Sequence, residues 1–161
     1  MSGSVPFGLP RELPGIALLL EAELQTTKRT ILAEDFYKAA LTTILDQDEI
    51  LTEIRLPPLP AGIGWAFEEF ARRSGDFALA AVGVLTGPDT RIVAIGANEV
   101  PIRLHRAEAL CADFANFDDI TQTAQEEVSP NSDLHGSADY RRHLIGILTR
   151  RALTLARERA L

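Results

Sequence analysis

In the stretch Phe70-Ala71-Arg72-Arg73-Ser74-Gly75-Asp76-Phe77-Ala78-Leu79, two guanidinium groups, a Ser-Gly-Asp turn and a phenyl ring follow one another within a few residues. A strand ending this way places a charge, a ring and exposed backbone N–H groups together at one sheet edge, which suits a planar, polar ligand. The same residues would equally make an ordinary hairpin turn with solvated arginines. Other chemistry-bearing side chains are dispersed. His105, His135 and His143 are the three histidines, none with a neighbour at metal-ligand spacing, and His143 reads as a surface residue of a helix. Cys111, the single cysteine, lies in the apolar run Ala109-Leu110-Cys111-Ala112, which suits a buried inert thiol better than a nucleophile. One cysteine makes neither an internal disulfide nor a zinc site, and stability must come from packing. The two common nucleotide cradles, G-x-G-x-x-G and G-x-x-x-x-G-K-[ST], do not occur. With 16 basic against 23 acidic residues, net -7, there is no surplus of cations for phosphates, which argues against a nucleic-acid partner. Arg141, Arg142, Arg150, Arg151, Arg157 and Arg159 nevertheless make the last segment basic, read as a solvated helix face or, alternatively, a docking surface for an acidic partner.

Positioning these residues calls for an α+β chain. Residues 1–15, with Pro6, Gly8, Pro10, Pro14 and Gly15, read as a loop or frayed end. Leu18 to Gln25 and Lys28-Arg29-Thr30-Ile31-Leu32 read as the strands of a hairpin, and Leu45 to Glu49 as a charged turn. Ile50 to Leu56 alternates, placing Ile50, Ile54 and Leu56 on one face of a half-buried strand. Pro57, Pro58, Pro60 and Gly62 then deny a ladder its donors, which sets a domain boundary there and divides the chain into residues 1–60 and 61–161. Beyond it, Gly64 to Arg73, Phe77 to Leu85 and Arg91 to Ala97 read as a three-stranded antiparallel meander. His105 to Phe114, Asp118 to Val128 and Ser137 to Leu161 read as three helices, with Ser137 as N-cap of the last. No apolar run is long enough to span a membrane and no signal-peptide pattern opens the chain, and the single cysteine fits a reducing cytoplasm, the expected location.

Several blocks, in order, carry a family resemblance. They are Arg11-Glu12-Leu13-Pro14, Arg29-Thr30-Ile31 with Phe36-Tyr37, Asp48 through Pro57, Phe67 through Leu79, Gly96-Ala97 with Pro101-Ile102-Arg103 and Ala107-Glu108-Ala109, and Ser137 through Leu144. Together they resemble the flavoprotein (medium) subunit of the molybdenum hydroxylases, the group that includes aerobic carbon monoxide dehydrogenase and xanthine dehydrogenase. The resemblance implies that residues 1–60 are the C-terminal part of a PCMH-type FAD-binding domain. Residues 61–161 would be a CO dehydrogenase flavoprotein C-terminal-like domain, a three-stranded antiparallel sheet on a three-helix bundle. It also implies a shortened chain without the first glycine-rich loop around the FAD pyrophosphate, with Ser2-Gly3-Ser4 at most the stump of the second, so the lone chain is expected to hold FAD weakly or not at all.

By the same resemblance Gly3 belongs to the residual glycine loop, and Glu12 falls where an acidic residue contacts the flavin's polar chain. Leu51 falls where a strand residue packs on the isoalloxazine, and Phe77, with Asp76 beside it, where an aromatic shields the ring. Glu69 falls near a position often occupied by lysine, a charge reversal. No catalytic acid or base and no metal ligand is implied, since the flavin carries the electron chemistry. The implied partners are a molybdenum-cofactor subunit, an iron–sulfur subunit and a separately encoded N-terminal FAD-binding half. The implied role passes electrons from iron–sulfur centres to an external acceptor. The alternative is a non-catalytic remnant that survives as an assembly or interaction module.

Overall fold

A computed structural model describes residues 12–40, 42–73, 78–112 and 116–160. Its elements run α1 (Glu12–Leu19), β1 (Glu23–Thr26), β2 (Thr30–Leu32), α2 (Ala33–Phe36), β3 (Tyr37–Ala39), β4 (Thr42–Thr43) and β5 (Leu51–Arg55). They continue with β6 (Gly64–Phe70), β7 (Ala80–Thr86), β8 (Arg91–Ile95), β9 (Ile102–Arg103), α3 (His105–Ala109), α4 (Phe117–Glu127) and α5 (Ala138–Arg159).

The larger sheet has the order β6-β7-β8-β9, all antiparallel. Because side chains alternate across a strand, the register Ala66↔Val84↔Ile92 and Val82↔Ala94 gathers these residues on one face. That face packs against Leu104, Ala107, Ile120, Ala124, Ile145, Leu148 and Leu153 of the helical layer. The opposite face carries Ala81, Leu85, Val93 and Ile95, covered by Leu18 and Leu19 of α1. Central strand β7 is thus buried along its whole length, which explains its run of small apolar residues. Asn116 caps α4 by accepting from the amides of Asp118 and Asp119, and Ser137 caps α5 by accepting from Tyr140 N, as its sequence suggested.

The smaller sheet has the order β2-β1-β5. Leu24 pairs with Ile31 and, with Ala22, Ala33 and Phe36, forms a small core against which Tyr37, Leu45 and Leu51 lean. The charged turn before β5 folds inward at one residue. Glu49 has a fully buried side chain, accepting from Arg29 Nε and Nη2 (3.0 Å each), Thr26 Oγ1 (2.7 Å) and Asp46 N (3.1 Å).

The structure corrects several sequence expectations. Leu18 and Leu19 are helical, so the first strand of the hairpin starts at Glu23, and residues 12–15 belong to α1 although Pro14 and Gly15 lie inside it. Pro14 sits early enough to be tolerated in a first turn. Gly15 trades helix propensity for close approach: a Cβ there would lie 2.2 Å from Ile95 Cδ1. Ile50, Ile54 and Leu56 are about half exposed, since β5 is an edge strand that nothing covers among the described residues. The C-terminal sheet gains a short fourth strand, β9, because Ile102 and Arg103 pair with Ala94 and Val93. The α3 helix ends at Ala109, short of the expected Phe114. Among the described residues no helix is long and apolar enough to cross a membrane.

Candidate functional site

Alternation along β6 puts Trp65, Phe67 and Glu69 on the face of the sheet that α1 covers, and Glu69 pairs with Ala81 there. Glu12, at the start of α1 and partly buried, lies close to this carboxylate. Burial, and secondarily the charge of Glu69, push its carboxyl above the ordinary value. Two of the residues implied by the family resemblance are therefore near enough for the charge of Glu69, at the end of β6, to act on Glu12. Leu51 does not join them; it lies on β5, half-buried against the small core of the N-terminal sheet. Gly3, Asp76 and Phe77 fall outside the described residues.

A pair of carboxylates offers acceptors only. Glu12 and Glu69 thus fit hydroxyl donors, such as those of a flavin's polyol chain, and repel a pyrophosphate. The residues present suit the sugar-alcohol part of FAD and leave its phosphates to other groups.

Around this edge the backbone is held tightly. Leu79 N donates to Phe70 O (2.8 Å), closing the base of the connection between β6 and β7. Arg141, on the first turns of α5 and almost wholly buried, donates from Nη1 to Leu79 O (2.7 Å) and Gly96 O (3.1 Å). Its Nη2 donates to Asp133 Oδ2 (2.7 Å), and this bond, with the amides of His135 and Gly136, draws the Asp133 carboxyl down to about 2. Sequence reading took Arg141 as part of a basic surface. The signal for its burial was present, since it falls in register with Leu144, Ile145, Leu148 and Ala152 on the apolar stripe of the helix.

The other arginines of α5 face outward with partners of their own. Arg142 pairs with Asp139 (2.7 Å), Arg150 with Asp118 and Arg151 with Glu68 (3.3 Å). Arg159 stacks 4.5 Å from the centre of the Trp65 ring. This is the solvated face with local pairing rather than a free cationic surface. Cys111 is buried and its thiol is pushed up to about 11, chiefly by burial, as an inert core residue would be.

Elsewhere, a cavity of about 170 Å³ opens between α1 and the β9 segment, lined by Pro14, Leu18, Tyr37, Pro101, Arg103 and His105. At its rim His105 Nε2 meets Glu34 Oε1 at 3.0 Å. None of Glu12, Leu51 and Glu69 lines it.

Comparison with known proteins places this geometry. Residues 65–156 match the model of the CO dehydrogenase flavoprotein C-terminal domain. The chain is 31% identical to the carbon monoxide dehydrogenase medium chain of Afipia carboxidovorans over 99% of its own length and 61% of that protein's. It is 36% identical to the nicotine 6-hydroxylase medium subunit of Paenarthrobacter nicotinovorans over 86% of its own length and 52% of that subunit's. Its fold superposes on the reconstituted CO dehydrogenase of Oligotropha carboxidovorans with a TM-score of 0.85, at 30% identity, covering 92% of this chain and 57% of that one. The chain thus spans between half and two thirds of these relatives, which are dehydrogenase and hydroxylase subunits. The sheet, its helical layer and the sequence along them converge on one assignment: the chain belongs to the CO dehydrogenase flavoprotein C-terminal domain family.

Proposed function

We propose that this chain forms part of the FAD-binding, electron-transferring medium subunit of a molybdenum hydroxylase. In this reading it works with a molybdenum-cofactor subunit, an iron–sulfur subunit and an N-terminal FAD-binding half, in the cytoplasm. The observation that carries the reading is the match of residues 65–156 to the CO dehydrogenase flavoprotein C-terminal domain, with Glu12 within electrostatic reach of Glu69 in the same chain. The flavin, when bound, would supply the electron-transfer chemistry. Glu12 would accept hydrogen bonds from its polyol hydroxyls, and burial, by raising the cost of leaving the carboxylate unpaired, would sharpen that preference. Glu69 would keep the edge electronegative and direct the phosphates away from it. Leu51 would offer an apolar surface to the ring, and Asp76 and Phe77 would border it, with Gly3 on the phosphate side.

The test is flavin absorbance of the purified chain, alone and with the N-terminal segment of a related medium chain added in trans. The lone chain is expected to stay colourless or nearly so, and the complemented chain to turn yellow. Phe77→Ala should then loosen the flavin by about 1 kcal/mol through lost ring contact. A complemented chain that binds no flavin overturns the proposal.

A further inference from the structure

We infer that the cavity between α1, α2 and β9 is a binding site for a small organic cation, a single ring or short chain carrying a protonated amine, with Glu34 as its counter-charge. The inference is independent of the function proposed above, since none of Glu12, Leu51 and Glu69 lines this cavity.

Size and walls set the body of the ligand. The cavity, of about 170 Å³, is close to the apolar cavity of about 150 Å³ that accepts benzene, so it suits about six or seven non-hydrogen atoms. Pro14 and Leu18 come to it from α1, and Val100, Pro101 and Ile102 from the segment entering β9. A proline carries no N–H, and these walls therefore offer apolar surface and few groups that would hold an ordered water.

Charge sets the head of the ligand. Arg103 lines the cavity, but its donors are taken: Nε and Nη2 donate to the two oxygens of Glu108 at 2.9 and 2.8 Å, and Nη1 donates to Glu21 at 2.9 Å. The other oxygen of Glu21 takes Arg91 at 2.7 Å, so Arg91 and Arg103 are answered by Glu21 and Glu108. Glu34 is left over. Its one side-chain partner among the described residues is His105 Nε2 at 3.0 Å, while His105 Nδ1 lies 3.3 Å from Glu108. A neutral imidazole has a single N–H for these two carboxylates and neutralises neither. Tyr37 adds a ring and a hydroxyl that has no hydrogen-bond partner among the described residues, and burial, by pushing its phenol above the ordinary value, keeps that hydroxyl protonated. A carboxylate with an unused oxygen, an aromatic ring and apolar walls are the elements that recognise an organic cation. An anion would meet Glu34 with no free guanidinium to answer it.

The experiment titrates the full chain with benzylamine at about pH 7.5, where a free imidazole is mostly neutral, and follows the backbone amide signals. Benzyl alcohol and benzoate serve as the neutral and anionic rings of similar size. Benzylamine should shift the signals of Tyr37, Ile102 and His105 saturably, with benzyl alcohol binding there about tenfold more weakly and benzoate leaving them unmoved. Glu34→Gln should weaken benzylamine by about tenfold, the loss of one charge-assisted bond, and leave benzyl alcohol unchanged. Val100→Phe, at a position outside the three cores, should fill the cavity and weaken both probes, and it serves if Glu34→Gln folds poorly. Benzoate binding as tightly as benzylamine, or no saturable shift at Tyr37, Ile102 and His105 with benzylamine, overturns the site. Benzylamine and benzyl alcohol binding equally, with no effect of Glu34→Gln, overturns the selection for a cation.

Discussion

The two main sheets of this chain meet water in opposite ways. Strand β7 is buried at all seven of its positions, between α1 on one side and the helical layer on the other. Strand β5 is exposed at four of its five positions, and Ile54 stands half in water beside the buried Leu24 with which it pairs. The large core draws its buried residues only from positions 66–156, nearly coincident with the family match. The small core is built from the N-terminal segment and rests on five buried side chains. A sheet covered on both faces carries its own stability, whereas one left open at an edge depends on what is brought to it.

Core truncation should separate the two regions most strongly. Ile145→Ala in the large core should cost about 2–5 kcal/mol and lower the denaturation midpoint of the whole chain. Phe36→Ala should cost about as much locally, yet show itself as fast amide exchange at Leu24 and Ile31 with the α5 helical signal retained. If both variants unfold the chain in a single transition at the same midpoint, the regions are not energetically distinct.

A smaller effect is expected at the seam. Gly15→Ala forces a methyl group against Ile95, and overpacking of this kind costs about 1–3 kcal/mol. Since α1 lies on the face of the sheet away from the helical layer, exchange should rise in α1 and in the N-terminal sheet before it rises in α5. Uniform protection throughout would mean that Ile95 simply turns aside.

The smallest effect is confined to acid and to one turn. The Glu49 carboxyl is held down to about 2 by its bonds to Arg29 first, then to Thr26 and to Asp46 N. Its stabilisation is therefore complete above the ordinary value of 4.5 and is lost as the pH falls through about 2. An acid titration followed by the Thr26 and Arg29 amide signals should show this loss, and Glu49→Gln should flatten it. A Glu49→Gln chain with the same acid profile would remove Glu49 from the account.

Much of the C-terminal fold was legible because its signals are local. The Ser137 cap and the apolar stripe of α5 each act within a few residues. The misread places depend on distant contacts. Pro14 and Gly15 look like breakers until Ile95, eighty positions later, supplies a reason for a glycine inside a helix. Ile50, Ile54 and Leu56 have the alternation of a half-buried strand, but alternation does not reveal whether a partner arrives to cover it. At the candidate site, Glu12 and Glu69 were placed by family resemblance alone, and nothing in their spacing showed that the charge of one would act on the other. Arg141 was hidden because an arginine among arginines reads as surface, and only its register with Leu144 and Leu148 sets it apart.

The two-sided burial of β7 also bears on how the chain is made. Its helical cover, α5, ends at Arg159, roughly seventy residues after the strand itself is complete. At a synthesis rate of about 5–20 residues per second, β7 waits about 4–15 s for that cover. During this interval α1, already synthesised, shields only one face, and the hairpin of β6 and β7 presents Ala66, Val82 and Val84 to its surroundings. A nascent chain arrested after β8 should therefore bind a hydrophobic-surface chaperone, and one extended through α5 should release it.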